Sequence, residues 1–536
     1  MKKNILTTLA VVLSVVWAYS QGNTSTVTST GNNNTATVSQ AGLMNNSIIT
    51  QTGDDNSAAA TQSGVTNFAI SIQLGSSNSA SQFQSGTNNN AYNDFFGSAG
   101  QDGVGNSLNQ SQTGSNNAMW NNQFGNFNTA YQSQIGNSNN AGSAQLGEGN
   151  DASQDQIGDN NNAYNRQNGD YNSATQYQNG INNRADNGGD TWAGQNGFGN
   201  GLSQSQSGND NYAVSIQQGN GNAASQTQIG NNNRAFNGYD YAYWGYPQYG
   251  QYPGQTGDGN SLSQFQNGTG NYASNWQYGN YNSASQTQYG TYNNTNVNQY
   301  GGGNSSDQYQ SGYNNYSGTY QNGNNNIGMQ AQYSANAPGN YQYAYIQTVG
   351  SDNFAQQTQS GNLNQANAYQ WGNGNYSKQD QYGTSNIGYV RQQGDANHTH
   401  QYQDGTANNA STMIVGSSNR TEQHAWGERN QAQINQNGDG NIAEQMQGWS
   451  RALNPDGTWN YPLYTGDTYS TDNEVSINQD GFGNEAYQFQ NGFWNLSVIN
   501  QFGDSNFAFV NQRGSSHVSS VNQVGNGNTA NVAQHD

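Results

Sequence analysis

The sequence predicts an all-β fold, a β-solenoid with rungs of 22 residues in which each rung holds two strand-turn units of 11 residues. Three observations lead to this prediction: a polar composition, a repeat that continues along the chain, and prolines confined to breaks in that repeat. Only 31% of the 536 residues are hydrophobic, and that share includes 36 tyrosines, so an ordinary apolar core is excluded. With 70 glycines and 8% charged residues, the composition is typical of a disordered chain or of a β-stacked one.

The repeat decides between these two, because a disordered chain has no need of a fixed period. Its pattern is Asn-x-Ala/Ser-x-x-x-Gln-x-Gly-x-x, eleven residues long, and Asn67, Ala69, Gln73 and Gly75 form one copy. The glycine returns every eleven residues within several blocks, at Gly42, Gly53, Gly64, Gly75, Gly86 and Gly97, then from Gly114 to Gly180, Gly257 to Gly323, Gly350 to Gly438 and Gly481 to Gly525.

Each repeat predicts one short strand and one tight turn. The Asn, Ala and Gln positions are separated by two and four residues, so in a strand they point to the same face, whereas a helix would spread them around its circumference. The glycine and its Asn, Asp or Gly neighbours supply the chemistry of a turn. Two such units can close a rung, which places residue i on residue i+22 of the next rung.

Stacked amides are the predicted interior of this solenoid, because they can hydrogen-bond from rung to rung as in amyloid. Gln40, Gln62 and Gln84 should form one ladder, and Gln51 and Gln73 should begin another that Phe95 interrupts. The alternate residues should face outward, as a surface that packs on another sheet or as a plain solvent face; they include Phe68, Ile70, Ile72, Leu74, Tyr272, Trp276 and Tyr278. The residues predicted to build the structural ladder are Asn67, Ala69, Gln73, Gly75, Asn271, Ala273, Gln277, Gly279, Asn282, Ala284, Gln288 and Gly290.

Residues 1–20 are predicted to be a signal peptide, with a basic start, an apolar stretch and a small-x-small site before Gln21. The protein is therefore expected to be secreted, extracellular or at the cell surface, without insertion in a membrane. The chain has no cysteine, so disulfides cannot stabilise it. The leader holds two basic and no acidic residues, so its removal changes the formal net charge from −20 to −22, which argues against nucleic acid as a partner.

The remaining residues, 21–536, are predicted to be one repeat solenoid with loop insertions near 98–103, 192–197, 242–257, 335–339 and 450–470. The glycine expected before four of these breaks is replaced, which predicts that a long loop takes the place of a tight turn there. The replacing residues are Thr191, Tyr241, Ser334 and Trp449. All five prolines fall inside the breaks, as expected if the rest of the chain is a hydrogen-bonded ladder: Pro247, Pro253, Pro338, Pro455 and Pro462.

The repeat resembles the curlin repeat of curli fibre subunits, whose pattern contains Gln-x-Gly-x-x-Asn-x-Ala-x-x-x-Gln. Gln277, Gly279, Asn282, Ala284 and Gln288 match that pattern in order. The resemblance implies a bacterial amyloid fibre of the biofilm matrix that acts in surface adhesion. It also implies self-assembly, export through an outer-membrane pore and a minor nucleating subunit as partner. The leading Ser of the family pattern is usually Asn here, and the repeats outnumber the handful typical of the family, so fibre subunit, nucleator and adhesin all stay open.

No catalytic site and no cofactor are predicted. The glycine-rich segments lack the strand-loop-helix context and the lysine of a phosphate loop, and no nucleophile has both a base and an orienting group. His398 and His400 share a strand face, and the 22-residue stack places Glu422 beside His400 and His424 beside Tyr402, so these residues could form a weak metal site. Outward polar residues need no ligand to explain them, so no metal is predicted either.

Three interpretations of the function are compatible with the composition and the repeat. The first is a structural fibre subunit, whose exposed rung edges recruit further copies. The second is a monomeric solenoid adhesin or surface-binding module, which would need capped ends and a regular outer array, whereas the outer residues vary. The third is a disordered Asn/Gln-rich chain, which the strict register disfavours. The sequence favours the fibre subunit, and none of these three functions is that of an enzyme.

Overall fold

A computed structural model describes residues 22–95, 98–188, 194–238, 254–335, 340–448 and 470–535. The predicted signal peptide lies outside the described residues, as do 192–193, 242–253, 336–339 and 450–469 of the predicted insertions. The chain divides into two compact units, Met1–Asn280 and Tyr281–Asp536, called unit 1 and unit 2 below. The described residues of both units are all-β and contain no helix.

Within each unit, a described rung consists of two strands linked by a tight turn, and the rungs stack in parallel on one another. In the first sheet, Thr24 lies opposite Asn46, and in the second sheet Thr35 lies opposite Ser57, a shift of 22 residues in each case. The predicted β-solenoid, with two eleven-residue units per rung, is therefore confirmed. Neighbouring parallel strands of this kind lie about 4.8 Å apart.

Unit 1 contains eleven first-sheet strands, four of them in two parts, and ten second-sheet strands within its described residues. Its first sheet consists of Thr24–Thr30, Asn46–Thr52, Phe68–Ser76, Asn90–Phe95 with Gln101–Val104, Ala118–Phe124, Asn140–Leu146, Asn162–Asn168, Arg184–Asn187 with Gln195–Asn196, Tyr212–Ser215 with Gln217–Gln218, Arg234–Asn237 with Gln255–Thr256, and Tyr272–Tyr278. Its second sheet consists of Thr35–Leu43, Ser57–Val65, Ser79–Thr87, Ser107–Ser115, Thr129–Asn137, Asp151–Asp159, Ser173–Ile181, Gly201–Asn209, Ala223–Asn231 and Ser261–Thr269. The short strand Ser98–Ala99 pairs antiparallel with Asn90–Phe95.

Unit 2 contains ten first-sheet strands within its described residues. They are Asn294–Tyr300, Tyr316–Asn322, Tyr343–Val349, Gln365–Trp371, Ile387–Gln393, Asn409–Val415, Gln431–Asn437, Glu474–Asp480, Leu496–Phe502 and Val518–Val524. Its second sheet consists of Ser283–Thr291, Ser305–Tyr313, Ile327–Tyr333, Phe354–Asn362, Tyr376–Thr384, His398–Thr406, Arg420–Glu428, Ile442–Gln447 with Ser470–Thr471, Glu485–Phe493, Phe507–Ser515 and Thr529–His535.

The turns require the repeated glycine. Gly75 has φ +109°, and a Cβ placed there would overlap the carbonyl oxygen of Gly103 on the next rung, so the stacked glycines allow two backbones to approach closely. The residue after the glycine is often Asp or Asn, and its side chain accepts a hydrogen bond from the rung before. Asp54 Oδ1, for example, accepts the backbone N–H of Asn32 at 2.8 Å.

The first three insertions interrupt strands of the first sheet, so the prediction that a loop replaces a turn at the second and third insertions is wrong. The rung leaves the sheet after Asn93, Asn187 and Asn237, and it re-enters at Gln101, Gln195 and Gln255. The glycine turn then follows as usual, since Gly103 still lies opposite Gly75. Re-entry at a glutamine keeps the amide ladder intact across these three insertions. The last two insertions follow second-sheet strands, Ile327–Tyr333 and Ile442–Gln447.

The core lies between the two sheets of each rung, and four side chains of a full first-sheet strand point into it. They come in the order Asn, Ala or another small residue, a variable residue, and Gln, as in Asn67, Ala69, Ser71 and Gln73. The alanines fit because the two sheets approach closely, and Ala69 is fully buried. The predicted outward residues do face outward, since Phe68, Ile70 and Ile72 are half-buried and Leu74 is exposed.

Candidate functional site: amide ladders and outer faces

A glutamine ladder runs along the second sheet with one direction of hydrogen bonding. Gln40 Nε2 donates to Gln62 Oε1 at 2.8 Å, and Gln62 Nε2 donates to Gln84 Oε1 at 2.8 Å, which confirms the first predicted ladder. The same Nε2 of Gln62 also donates to the backbone carbonyl of Asn46 across the core at 2.9 Å. Both amide hydrogens are used, so a buried glutamine carries no desolvation penalty from an unpaired donor.

The matching ladder of the first sheet continues past the first insertion, so the prediction that Phe95 interrupts it is wrong. Gln51 donates to Gln73 at 3.0 Å, Gln73 to Gln101 at 2.9 Å, and Gln101 to Gln123 at 2.9 Å. Gln101 takes the place that the period assigned to Phe95, because the first insertion lies between them. The sequence does hold a signal for this, since Gln-x-Gly recurs directly after each of the first three insertions, at Gln101, Gln195 and Gln255.

The asparagine side chains link the turns of neighbouring rungs by hydrogen bonds. Asn67 Nδ2 donates to Asn45 Oδ1 on the rung before and to the carbonyl of Gly86 on the rung after, both at 3.0 Å. The backbone N–H of Asn89 donates to Asn67 Oδ1 at 3.1 Å. One side chain therefore pairs with groups on both neighbouring rungs, which explains why Asn occupies this position.

The structure places the other predicted ladder residues in the core or in turns. Gln277 donates to the carbonyl of Ser261 at 3.0 Å, Asn282 to that of Gly301 at 2.8 Å, and Gln288 to Gln310 Oε1 at 3.1 Å. Asn271 Nδ2 donates to Asn233 Oδ1 at 3.1 Å. The alanines Ala69, Ala273 and Ala284 are buried, and the glycines Gly75, Gly279 and Gly290 have positive φ.

Sequence reasoning missed a second glutamine ladder in the second sheet, two residues before the first one. Gln82 donates to Gln110 at 2.9 Å, Gln110 to Gln132 at 2.8 Å, and Gln132 to Gln154 at 2.7 Å. The signal was the pair Gln-x-Gln before most of the second-sheet glycines. Two parallel ladders make the second sheet the more regular side of the core.

Columns of aromatic rings cover the outer faces of unit 2. The rings of Phe354 and Tyr376 stack at 5.0 Å, and those of Tyr376 and His398 stack at 4.4 Å. On the first sheet, burial and the neighbouring tyrosines, Tyr369 foremost, raise the pKa of Tyr345 to about 12. Stacked rings with protected phenols indicate an ordered column, and they favour a face that can pack against another surface.

Unit 1 has an aromatic groove of about 900 Å³ on the outer face of its first sheet. Its walls include Tyr92, Trp120 and Tyr164, and the Trp120 and Tyr164 rings lie 5.4 Å apart. The small side chain of Ala144 lines the space beside these larger rings. Asp94 and Arg166 also line the groove, so an apolar platform has charged groups within it.

A cluster of ionisable residues lies on the outer face of the second sheet of unit 2. It brings His400, Glu422 and His424 together, whereas His398 stacks on Tyr376 instead. Burial and the nearby Arg420 lower the pKa of His398. The structure therefore assembles three of the four residues that the sequence placed near one another.

A second group of charges adjoins this cluster. Lys378 Nζ pairs with Asp380 Oδ2 at 2.8 Å, and the same oxygen lies 3.5 Å from His400 Nε2. Burial raises the pKa of the Asp380 carboxyl, but hydrogen bonds from His400 and Lys378 outweigh burial and hold that pKa below its usual range. Asp380 is therefore an anion fixed beside His400.

Parallel rungs, a largely polar core and long amide ladders define the chain as a β-solenoid whose interior is built largely from stacked side-chain amides. The family model of the curlin associated repeat matches the chain at residues 53–81, 471–503, 489–514 and 503–535. The chain therefore contains curlin-associated repeats, in unit 1 and in unit 2. No curated protein matches the chain. Among the described residues, no helix is long and apolar enough to span a membrane.

Proposed function

We propose that this chain is a structural subunit of extracellular, curli-like amyloid fibres, which act in the biofilm matrix and in surface adhesion, and that it is not an enzyme. One observation carries the proposal: most of the described rungs present the next rung with the same hydrogen-bonding pattern. Gln62 donates toward the following rung and accepts from the preceding one, and this polarity repeats along each ladder. A rung edge that is complementary to its neighbours within the chain is equally complementary to a rung of another copy.

Growth would then be head-to-tail, with parallel strands in register. Such a contact joins two different surfaces and does not close on itself, so it yields an open filament. The backbone N–H and C=O groups of an edge strand add the main-chain ladder of a cross-β fibre. Stacked glutamine and asparagine side chains add their own hydrogen bonds along the same axis.

The remaining parts of the proposal rest on the predicted leader and on the curlin repeat. They are secretion after cleavage before Gln21, export by outer-membrane machinery, and a nucleating subunit as partner. The curlin repeat supports an extracellular fibre at the cell surface.

The test is assembly of the chain from Gln21 onward after dilution out of denaturant, followed by thioflavin fluorescence and fibre diffraction. We expect growth that seeds accelerate and a meridional reflection near 4.7 Å. The variant Gln62→Glu should slow growth, because it places an unpaired charge in the ladder. The matched control is Thr61→Glu, whose side chain is exposed on the same strand. A soluble β-rich monomer that never seeds would contradict the proposal.

The second candidate function, a monomeric module that binds a surface, is favoured by the aromatic groove of unit 1. If the chain stays monomeric, that groove becomes the first region to test, by Trp120→Ala in a binding assay on biofilm polysaccharide. Loss of binding by a well-folded Trp120→Ala monomer would favour the adhesin over the fibre subunit.

A further inference from the structure

Histidine is rare in this chain, and its distribution is uneven. The sequence has five histidines, and three of them lie on two neighbouring second-sheet strands of unit 2, His398–Thr406 and Arg420–Glu428. The parallel register sets His400 directly opposite Glu422, and it sets Tyr402 opposite His424. In a strand, residues two apart share a face, so His400, Glu422 and His424 all point outward from the same sheet.

The three side chains converge at their ligand atoms. One ring nitrogen or carboxylate oxygen from each lies within 4.8 Å of the other two. His424 Nε2 is 2.8 Å from Glu422 Oε1, and the rings of His400 and His424 meet edge to face at 5.4 Å. The side chains are 26%, 19% and 16% exposed for His400, Glu422 and His424, so packing holds them while solvent still reaches them.

We propose that His400, Glu422 and His424 bind a divalent transition metal ion of the zinc class. Two imidazoles and one carboxylate are the donor set that suits Zn²⁺, and ligand bonds of about 2.0–2.2 Å bring such donors to separations of about 3 Å. Glu422 and His424 are already about this close. Water can complete the coordination, since the cluster is open to solvent.

Neighbouring charges hold this donor set in place. Asp380 Oδ2 lies 3.5 Å from His400 Nε2, and a carboxylate beside a ligating imidazole orients the ring and increases its basicity. Arg420 Nη2 lies 3.6 Å from Glu422 Oε2, which keeps one carboxylate oxygen engaged while the other faces His424. Lys378 pairs with Asp380 and fixes that anion in turn.

A metal ion bound here would connect two rungs. His400 belongs to one rung, and Glu422 and His424 belong to the next. Binding to the folded rungs alone would therefore stabilise them against local opening by mass action. This property belongs to single molecules, so it does not depend on fibre assembly.

The test is Zn²⁺ binding to the folded full chain by calorimetry, with Co²⁺ absorption as a probe of coordination. We expect one site per chain that Ca²⁺ does not displace, because hard cations prefer oxygen-only ligands. His424→Gln and Glu422→Gln should each weaken Zn²⁺ binding at least about 10-fold. The matched control, His398→Gln, lies on the same face but outside the cluster and should bind as the unaltered chain does.

A second measurement tests the proposal on the unaltered chain, so its result does not depend on whether the variants fold. In the unaltered chain, Zn²⁺ should slow amide hydrogen exchange in His398–Thr406 and Arg420–Glu428 and leave exchange in Ser305–Tyr313 unchanged. Binding that survives both substitutions, that Ca²⁺ displaces, or that slows exchange evenly along the chain would overturn the proposal.

Discussion

Units 1 and 2 have the same kind of glycine turn and both contain glutamine ladders, but they differ in the chemistry of one inward position of the first sheet. In unit 1 this third inward position is polar in most rungs, as in Ser71, Asn93, Asn121, Ser143, Asn165, Asn187, Ser215, Asn237 and Asn275. In unit 2 it is mostly aliphatic, as in Val297, Ile346, Ala368, Val390, Ile434, Ile477, Ile499 and Val521. Both sets are buried, so the two units use different chemistry in the same space.

The difference shows that a buried polar column leaves gaps in its hydrogen bonding where a buried aliphatic column has none to fill. In unit 1 the column mixes Asn and Ser, and its hydrogen bonds are uneven: Asn237 Nδ2 donates to Ser215 Oγ at 3.0 Å, whereas Asn121 Nδ2 donates to Asn93 Oδ1 at 3.4 Å. Asn121 Oδ1 and Ser143 Oγ have no hydrogen-bond partner among the described residues. In unit 2, aliphatic side chains need no partner and pack into a cluster with Ile434, Ile477 and Ile499. We therefore expect the rungs around Ile477 to open less readily than those around Ser143.

The largest effect should come from giving unit 2 the residue that unit 1 uses. Ile477→Asn removes a fully buried aliphatic side chain and leaves a polar one among isoleucines. The expected loss is about 4 kcal/mol of local stability, from lost burial together with an unpaired amide. Hydrogen exchange followed by mass spectrometry measures it, because this method reports the stability of the rungs around Ile477 separately from that of other rungs.

Ser476→Asn is the matched control for Ile477→Asn, since Ser476 points outward from the same strand. It should change local stability by less than about 0.5 kcal/mol. Equal losses of local stability for Ile477→Asn and Ser476→Asn would contradict the conclusion that the aliphatic core position stabilises unit 2.

The turns should respond alike in both units. Gly158→Ala in unit 1 and Gly405→Ala in unit 2 each place a Cβ against the carbonyl oxygen of the stacked glycine, Gly180 or Gly427, at positive φ. Each should cost about 3 kcal/mol, and the two losses should agree within the error of denaturant unfolding.

Gly221→Ala and Gly374→Ala are controls for the turns, because these glycines also have positive φ but face open space. They should cost about 1 kcal/mol each. A clear difference between Gly158→Ala and Gly405→Ala would mean that the units differ in their turns as well as in their cores.

Removal of a buried hydroxyl group should change stability less, and the sign of the change should depend on whether that hydroxyl has a hydrogen-bond partner. Ser143→Ala removes a buried hydroxyl that has no partner among the described residues, so it should stabilise unit 1 by up to about 1 kcal/mol. Ser497→Ala in unit 2 removes the acceptor of Ser519 Oγ and Gln488 Nε2, both at 3.0 Å, so it should destabilise by about 1 kcal/mol. Shifts of the same sign in thermal unfolding would contradict the comparison.

The period predicted the fold, but it did not predict where the register changes. Spacings of two, four and eleven residues were sufficient for strands, turns and the stacking of Gln40 on Gln62, because these depend only on local geometry. The position of Gln101 in the ladder could not be found by counting residues from Gln73. An insertion can begin at any point within a strand, as long as the chain returns to the strand before the glutamine position. The pairing of His400 with Glu422 followed from the 22-residue stack. The convergence of their ligand atoms depends on side-chain rotamers, which the sequence does not specify.

The smallest predicted effect concerns the tyrosine column of unit 2 at high pH. Burial and neighbouring tyrosines raise the pKa of Tyr345 to about 12, above the value of 10.0 for a free tyrosine. The folded state thus holds this proton more tightly than the unfolded state, so its contribution to stability is complete below pH 10 and is lost as the pH rises from 10 to 12. Tyr345→Phe should reduce the alkaline loss of stability, measured by denaturant unfolding across this range.

Tyr281→Phe, at an exposed turn position of the same unit, should leave that alkaline loss unchanged. If Tyr345→Phe also leaves it unchanged, the aromatic column does not contribute to the stability of unit 2, and the difference between the units lies in the core alone.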